Sequence, residues 1–123
     1  MKVLNYEVLV LSGDVMVELE SGEKAVIELY VEYKDEIKKV LKEIGLNVVV
    51  YEEYDEDPDT IYAYEVVHGW RDNIEVYCYY SLDEEATECW LIDYGKNGGS
   101  KIIRIGGRKD LSILSNELRK RLK

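Results

Sequence analysis

The stretch DTIYAYEVVHGWRDNIEVYCYY, Asp59 to Tyr80, reads as two strands meeting across a turn. Tyrosines crowd both ends, at positions 62, 64, 77, 79 and 80, and HGWRDN between them has turn composition. Symmetric pairing about that loop opposes Tyr62 to Tyr79 and Tyr64 to Tyr77, which puts four phenols on one side of a sheet. Such cross-strand aromatic pairs clamp a hairpin. The other side receives Ile61, Ala63, Val67, Ile74, Val76, Cys78 and Tyr80, a core face.

Extending the register makes the tyrosine side larger. A next turn centred on Asp83-Glu84 sets Trp90 beside Tyr77 and Cys89 beside Cys78. Tyr64, Tyr77 and Trp90 then form a row, with Ile92, Ile103 and Ile105 further along. A patch this apolar is not left bare on a monomer. The candidates to cover it are the two helices of the chain, a second copy, or another molecule.

The flanking segments complete an α+β domain. Val8 and Val10, then Val15, Val17 and Leu19, then Ile27, Leu29, Val31 and Tyr33 recur with period two, and Ser12-Gly13-Asp14 and Ser21-Gly22-Glu23 are turn material between them. The period then becomes helical. Asp35 is placed to cap a helix with Ile37, Val40, Leu41 and Ile44 on one stripe, and Gly45 stops it. Asn47 to Tyr54 reads as a strand, followed by an acidic loop, Asp55 to Asp59. After the hairpin come strands at about Glu88 to Tyr94 and Lys101 to Ile105, joined by GKNGGS. Ser81-Leu82-Asp83-Glu84 also fits a capping box, which leaves residues 82–90 open to helix, but the β-prone run Trp90 to Tyr94 favours a strand. Lys109-Asp110 opens a closing helix with Leu111, Leu114, Leu118 and Leu122 in a stripe. The expectation is one domain over residues 1–123: a mostly antiparallel twisted sheet with two amphipathic helices, in the order βββα–ββββ(β)–α.

Composition sets the class. The chain has 123 residues, enough to bury a core without staples. It lacks Phe and Gln and is rich in Lys and Glu, a thermophilic pattern. MKVLNYEVLV does not read as a secretory signal, because Asn5 and Glu7 break any apolar run. No stretch approaches a membrane span, so no membrane association is expected and the compartment expected is the cytoplasm. The net charge of −10 is uneven: residues 1–100 carry 24 acidic and 8 basic side chains, residues 101–123 carry 2 and 8. A basic end of this kind marks either a nucleic-acid-binding segment or one that docks on its own acidic body.

Candidate chemistry is sparse, and no catalytic, cofactor or metal constellation is predicted. His68, with Trp70, Arg71 and Asp72, could form a carboxylate-oriented base, but a lone histidine reads better as a solvated loop residue. Trp70 beside Arg71 is a candidate contact point. Glu52, Glu53, Asp55, Glu56, Asp57 and Asp59 form an acidic patch that lacks the glycine and terminal glutamate of a calcium loop. Its sharper reading is a carboxylate row offered to a basic groove. Cys78 and Cys89 are a candidate disulfide. Arg104, Arg108, Lys109, Arg119 and Lys120, with Lys101 and Arg121, are the anion or nucleic-acid candidates, and Gly106-Gly107 before the last helix could cradle an anion.

Function is therefore expected to be non-enzymatic. The chain reads as a small acidic interaction or regulatory protein, an inhibitor or nucleic-acid mimic. It is expected to form a homodimer through an aromatic face made of Tyr62, Tyr64, Tyr77, Tyr79 and Trp90. Its protein partner would be one that itself binds nucleic acid. The alternative is direct nucleic-acid binding through residues 101–123.

Overall fold

A computed structural model describes residues 8–11, 15–19, 25–58, 60–95 and 99–122. The turns read at 12–14 and 21–23, Asp59 and the middle of GKNGGS, residues 96–98, lie outside the described residues. The order is β1 (Val8–Leu11), β2 (Val15–Leu19), β3 (Ala25–Leu29), α1 (Lys34–Glu43), β4 (Asn47–Glu56), β5 (Thr60–Arg71), β6 (Ile74–Ser81), β7 (Ala86–Asp93), β8 (Gly99–Ile105) and α2 (Asp110–Arg121). This is the expected α+β fold, with a mixed sheet in which only the β3–β5 pairing is parallel. A parallel pair needs a crossover, and α1 with β4 supplies it.

The long strand β5 is the axis of the fold. One edge pairs antiparallel with β4 from Glu56↔Ile61 to Asn47↔Trp70. The other edge is shared. Residues 60–64 pair with β3, and residues 67–71 pair with β6, after which β7 and β8 follow in order. Beyond Val67↔Cys78 the strands β5 and β6 separate, and a small second core of Leu29 and Tyr80, with Ile27, Tyr62 and Tyr64 against it, fills the divergence.

Both helices cover the same side of the β5–β8 sheet. Ile37, Leu41 and Ile44 of the first, and Leu114 and Leu118 of the second, pack on Val67, Val76, Cys78, Cys89, Leu91, Ile103 and Ile105. The first helix ends in a Schellman arrangement: Gly45, at φ +94°, donates to the Lys42 carbonyl and Leu46 donates to that of Leu41. Within the shared layer, Cys78 and Cys89 face each other with Cα atoms 4.1 Å apart and form a disulfide.

Several expectations need correction. The hairpin turn is Asp72-Asn73 and not HGWRDN, because His68, Gly69, Trp70 and Arg71 continue β5. Asp72 takes the left-handed conformation (φ 53°) that Asp tolerates in tight turns. Gly69 is a packing residue. A Cβ there would lie 3.0 Å from Leu41 Cδ1 and 3.2 Å from Leu46 Cδ2, so its bareness lets α1 approach the sheet. The register consequently shifts by four residues: Tyr77 faces His68, not Tyr64. The shift is even, so every residue keeps its expected side. The next pairing falls as read, with Tyr77↔Trp90 and Cys78↔Cys89, and residues 82–85 form a turn before β7. Ser81 Oγ does accept the Glu84 N–H, as a capping box would, but no helix follows.

Two smaller readings also change. The third strand stops at Leu29, and Val31 and Tyr33 belong to the link into α1. There Glu65 of β5 accepts the Val31 N–H at 3.1 Å and pairs with Lys34 at 3.1 Å, fixing the entry to the helix. Asp35 is in the first turn and does not cap; the preceding position is Tyr33, in a left-handed conformation.

Candidate functional site

The face opposite the helices carries the aromatic residues. Strand alternation and pairing arrange them in cross-strand rows. One row runs Val49, His68, Tyr77, Trp90 and Ile102 from β4 to β8. On one side of it lie Asn47, Trp70, Glu75, Ile92 and Ser100. On the other, Tyr51 pairs with Val66, while Tyr79, Glu88 and Arg104 pair in turn. Further along β4, Glu53 pairs with Tyr64 and Asp55 with Tyr62.

This face is solvent-open. Val49, Trp90 and Ile102 are 43%, 36% and 48% exposed, whereas Val66 at its centre is 5% exposed. Two adjoining shallow concavities lie over Val66. One, of about 430 Å³, is bounded by Tyr51, Glu53, Tyr77, Tyr79, Trp90 and Ile92. The other, of about 350 Å³, is bounded by Glu53, Asp55, Tyr64 and Tyr79. They share Glu53, Val66 and Tyr79. The helices therefore do not cover the tyrosines, which removes the first of the three candidates. Ile103 and Ile105 are also corrected: both are buried beneath α2, and Ile102 and Arg104 take the open face.

Rings and carboxylates interlock across this surface. His68 stacks on Tyr77 at 4.3 Å between centroids and 4° between planes, with Trp70 5.0 Å away and Tyr51 edge-on at 6.3 Å. Tyr64 lies 6.4 Å from Tyr79, which lies 6.4 Å from Trp90. One oxygen of Glu75 receives both the Tyr77 hydroxyl and His68 Nε2, the latter at 2.9 Å. The Tyr77 hydrogen bond, then that from His68, holds the Glu75 carboxyl below its usual range. The same bond, with burial, pushes the Tyr77 phenol up to about 12. Burial, then the Asp55 charge, raises Tyr64; burial, then Glu88, raises Tyr79; burial, then Glu53, raises Tyr51. The phenols are thus neutral, and the fixed negative charge of the face belongs to Glu53, Asp55, Glu75 and Glu88.

The remaining sequence candidates scatter. The acidic run is not a loop: Glu52, Glu53, Asp55 and Glu56 belong to β4, alternate between its two sides and are all exposed, and Asp57 begins the turn. Strand propensity at Val48 to Tyr54 carries the chain further than the charges suggested. Trp70 and Arg71 point to opposite sides of β5. Arg71 donates to the Ile44 carbonyl at 2.7 Å and so closes the end of α1. Gly106 and Gly107 donate to the Asp110 carboxylate at 2.9 and 3.1 Å, so the chain fills its own anion cradle.

The basic candidates lie along α2 and β8 rather than in one patch. Arg104 pairs with Glu84, Lys101 with Glu117 at 3.4 Å, and Arg121 with Asp93 and Glu117, each at 3.0 Å. Arg119 reaches Ser115, and Arg108 and Lys109 sit before the first turn of α2. Among the described residues no three His, Cys, Asp or Glu side chains converge as a metal site, and no helix is long and apolar enough to cross a membrane.

Sequence reasoning missed Val49, Tyr51, His68 and Ile102 as members of this face. The signal for Tyr51 was available only once β4 was known to pair with β5, because alternation along β4 alone does not say which side is covered. No protein-family model, curated protein or solved structure matches this chain.

Proposed function

We propose that this chain is a non-enzymatic interaction protein whose aromatic sheet face docks a basic segment of a partner protein. The observation that carries the reading is the coincidence, on the one face the helices leave open, of Tyr51, Tyr64, Tyr77, Tyr79, Trp70 and Trp90 with four carboxylates. Tyr and Trp supply large contact area for little lost rotamer freedom. Their ring faces attract Arg and Lys, and nearby carboxylates pair with the same groups. The carboxylates offer a basic groove the same sign of charge that phosphates do, so the partner expected is a protein whose own basic surface handles nucleic acid.

Charge also ranks the alternatives. Packing the face against a second copy would bring together two surfaces that each carry Glu53, Asp55, Glu75 and Glu88, and surfaces of like charge oppose association. Direct nucleic-acid binding is supported less well, because Lys101, Arg104 and Arg121 are engaged by Glu117, Glu84 and Asp93. Glu75 orients His68 as a carboxylate orients a general base, but the ring face is covered by Tyr77 at 4.3 Å, so a contact role is favoured over a catalytic one.

Both tryptophans of the chain lie on this face, so tryptophan fluorescence, excited selectively over the eleven tyrosines, reports on it. Titration with a synthetic arginine-rich peptide is expected to change that fluorescence saturably, more weakly as salt rises, and Trp90→Ala is expected to weaken binding about tenfold. An unchanged fluorescence, or binding insensitive to Trp90→Ala, would overturn the reading.

A further inference from the structure

We propose that the outer edge of β4 is a strand-addition site for an extended basic segment; this rests on the reading of the aromatic face as a basic-partner surface and specifies how the segment is held. The strand runs ten residues, Asn47–Glu56, and pairs with β5 alone among the described strands. Alternate backbone N–H and C=O groups of a strand point to each of its edges, so the edge away from β5 presents a row of them outward. The faces of the strand are open as well: Val49, Val50 and Tyr54 are 43%, 39% and 66% exposed, and the last five residues, Glu52 to Glu56, are exposed throughout.

An uncovered edge of this length invites pairing with another chain unless its side chains forbid it. Here Glu53 and Asp55 point to the aromatic face, and Glu52 and Glu56 to the opposite face. A second copy of β4 added parallel and in register would bring carboxylates together on both faces, and like charges opposed across strands destabilise the pair. An antiparallel copy at full overlap sets Glu52, Glu53 and Asp55 opposite Tyr51, Val50 and Val48, where they gain no ion pair. The carboxylates of Glu52, Glu53 and Asp55 form cross-strand ion pairs with a strand carrying Arg or Lys on both faces. The edge therefore favours a basic strand over its own copy by charge. Backbone pairing supplies the affinity, and alternate side chains supply the choice of partner, as in other strand-addition interfaces. Basic residues on the aromatic side of the added strand lie next to Tyr51, Glu53 and Asp55, which continues the docking surface across the sheet edge.

The test uses the whole chain and a capped decapeptide repeating Arg-Arg-Thr-Thr, which places Arg on both faces of an added strand, followed by calorimetry and by amide hydrogen exchange. Binding is expected with slowed exchange at alternate β4 amides. A peptide of the same sequence, N-methylated at every second residue so that one edge cannot pair, is expected to bind at least about tenfold more weakly. Glu53→Lys with Asp55→Lys is expected to reverse the preference, towards an alternating Glu and Thr peptide. If both Arg peptides bind equally and change tryptophan fluorescence, strand addition is wrong while basic docking on the aromatic face stands. If neither binds, both readings fall.

Discussion

At the scale of single residues, Glu75 is the hinge of the account's electrostatics. It is an ionised carboxylate set among aromatic rings, and Tyr77 and His68 both spend a donor on it. The sign of its contribution follows. Because the folded carboxyl is held below its ordinary value of 4.5, its stabilisation is present above that pH and is lost as pH falls through the folded value. The Tyr77 phenol behaves oppositely: raised from 10.0 to about 12, it contributes fully below pH 10 and its share is lost as pH rises through 12. Glu75→Gln removes the charged acceptor, so the Tyr77 transition is expected to return towards 10 in an ultraviolet alkaline titration. Tyr30, raised to about 12 by its hydrogen bond to Glu28, is expected to stay there. The number of phenols ionising near 12 therefore falls by one, and an unchanged number would show that Glu75 is not the cause. Sequence did not reveal this cluster, because His68 was assigned to a loop and the partner that fixes it lies on a neighbouring strand.

At the scale of elements, the chain divides into what periodicity can say and what only packing can say. The stripe of α1, its Gly45 stop, the stripe of α2 and the pairing of Tyr77 with Trp90 are local or near-local patterns, and they were readable. The end of β5 was not. Gly69 resembles a turn residue by composition, yet its reason lies in Leu41 of α1 and Leu46 of the link to β4, which close on it from more than twenty positions away in the sequence. The parallel pairing of β3 with β5 was likewise silent, since no residue pattern says which edge of a strand a distant one joins. The Gly69 account is checkable. Leu41 is fully buried and has little room to retreat, so Gly69→Ala is expected to destabilise by about 1–3 kcal/mol in urea denaturation, the cost of overpacking. A neutral or stabilising outcome would mean that α1 shifts freely over the sheet.

At the scale of the whole molecule, the arrangement is asymmetric in both polarity and charge. Two helices cover one side of the β5–β8 part of the sheet, and the basic end of the chain is drawn into the acidic body through Arg121 with Asp93 and Arg104 with Glu84. The other side keeps its aromatic rings open, with Glu53 and Asp55 exposed and Glu75 and Glu88 half-buried. Composition announced the charge imbalance, and strand alternation announced the aromatic side. Whether that side faced inward or outward depended on where the helices lay, which no local pattern encodes. The central claim is that this face is left for a foreign basic partner and is not satisfied by a second copy. The most direct test is the solution mass of the unliganded protein by light scattering, with Trp90→Glu measured beside it. Both are expected at the 14.3 kDa of a single chain. A wild-type dimer that Trp90→Glu returns to a folded single chain would contradict the claim and give the face to self-association.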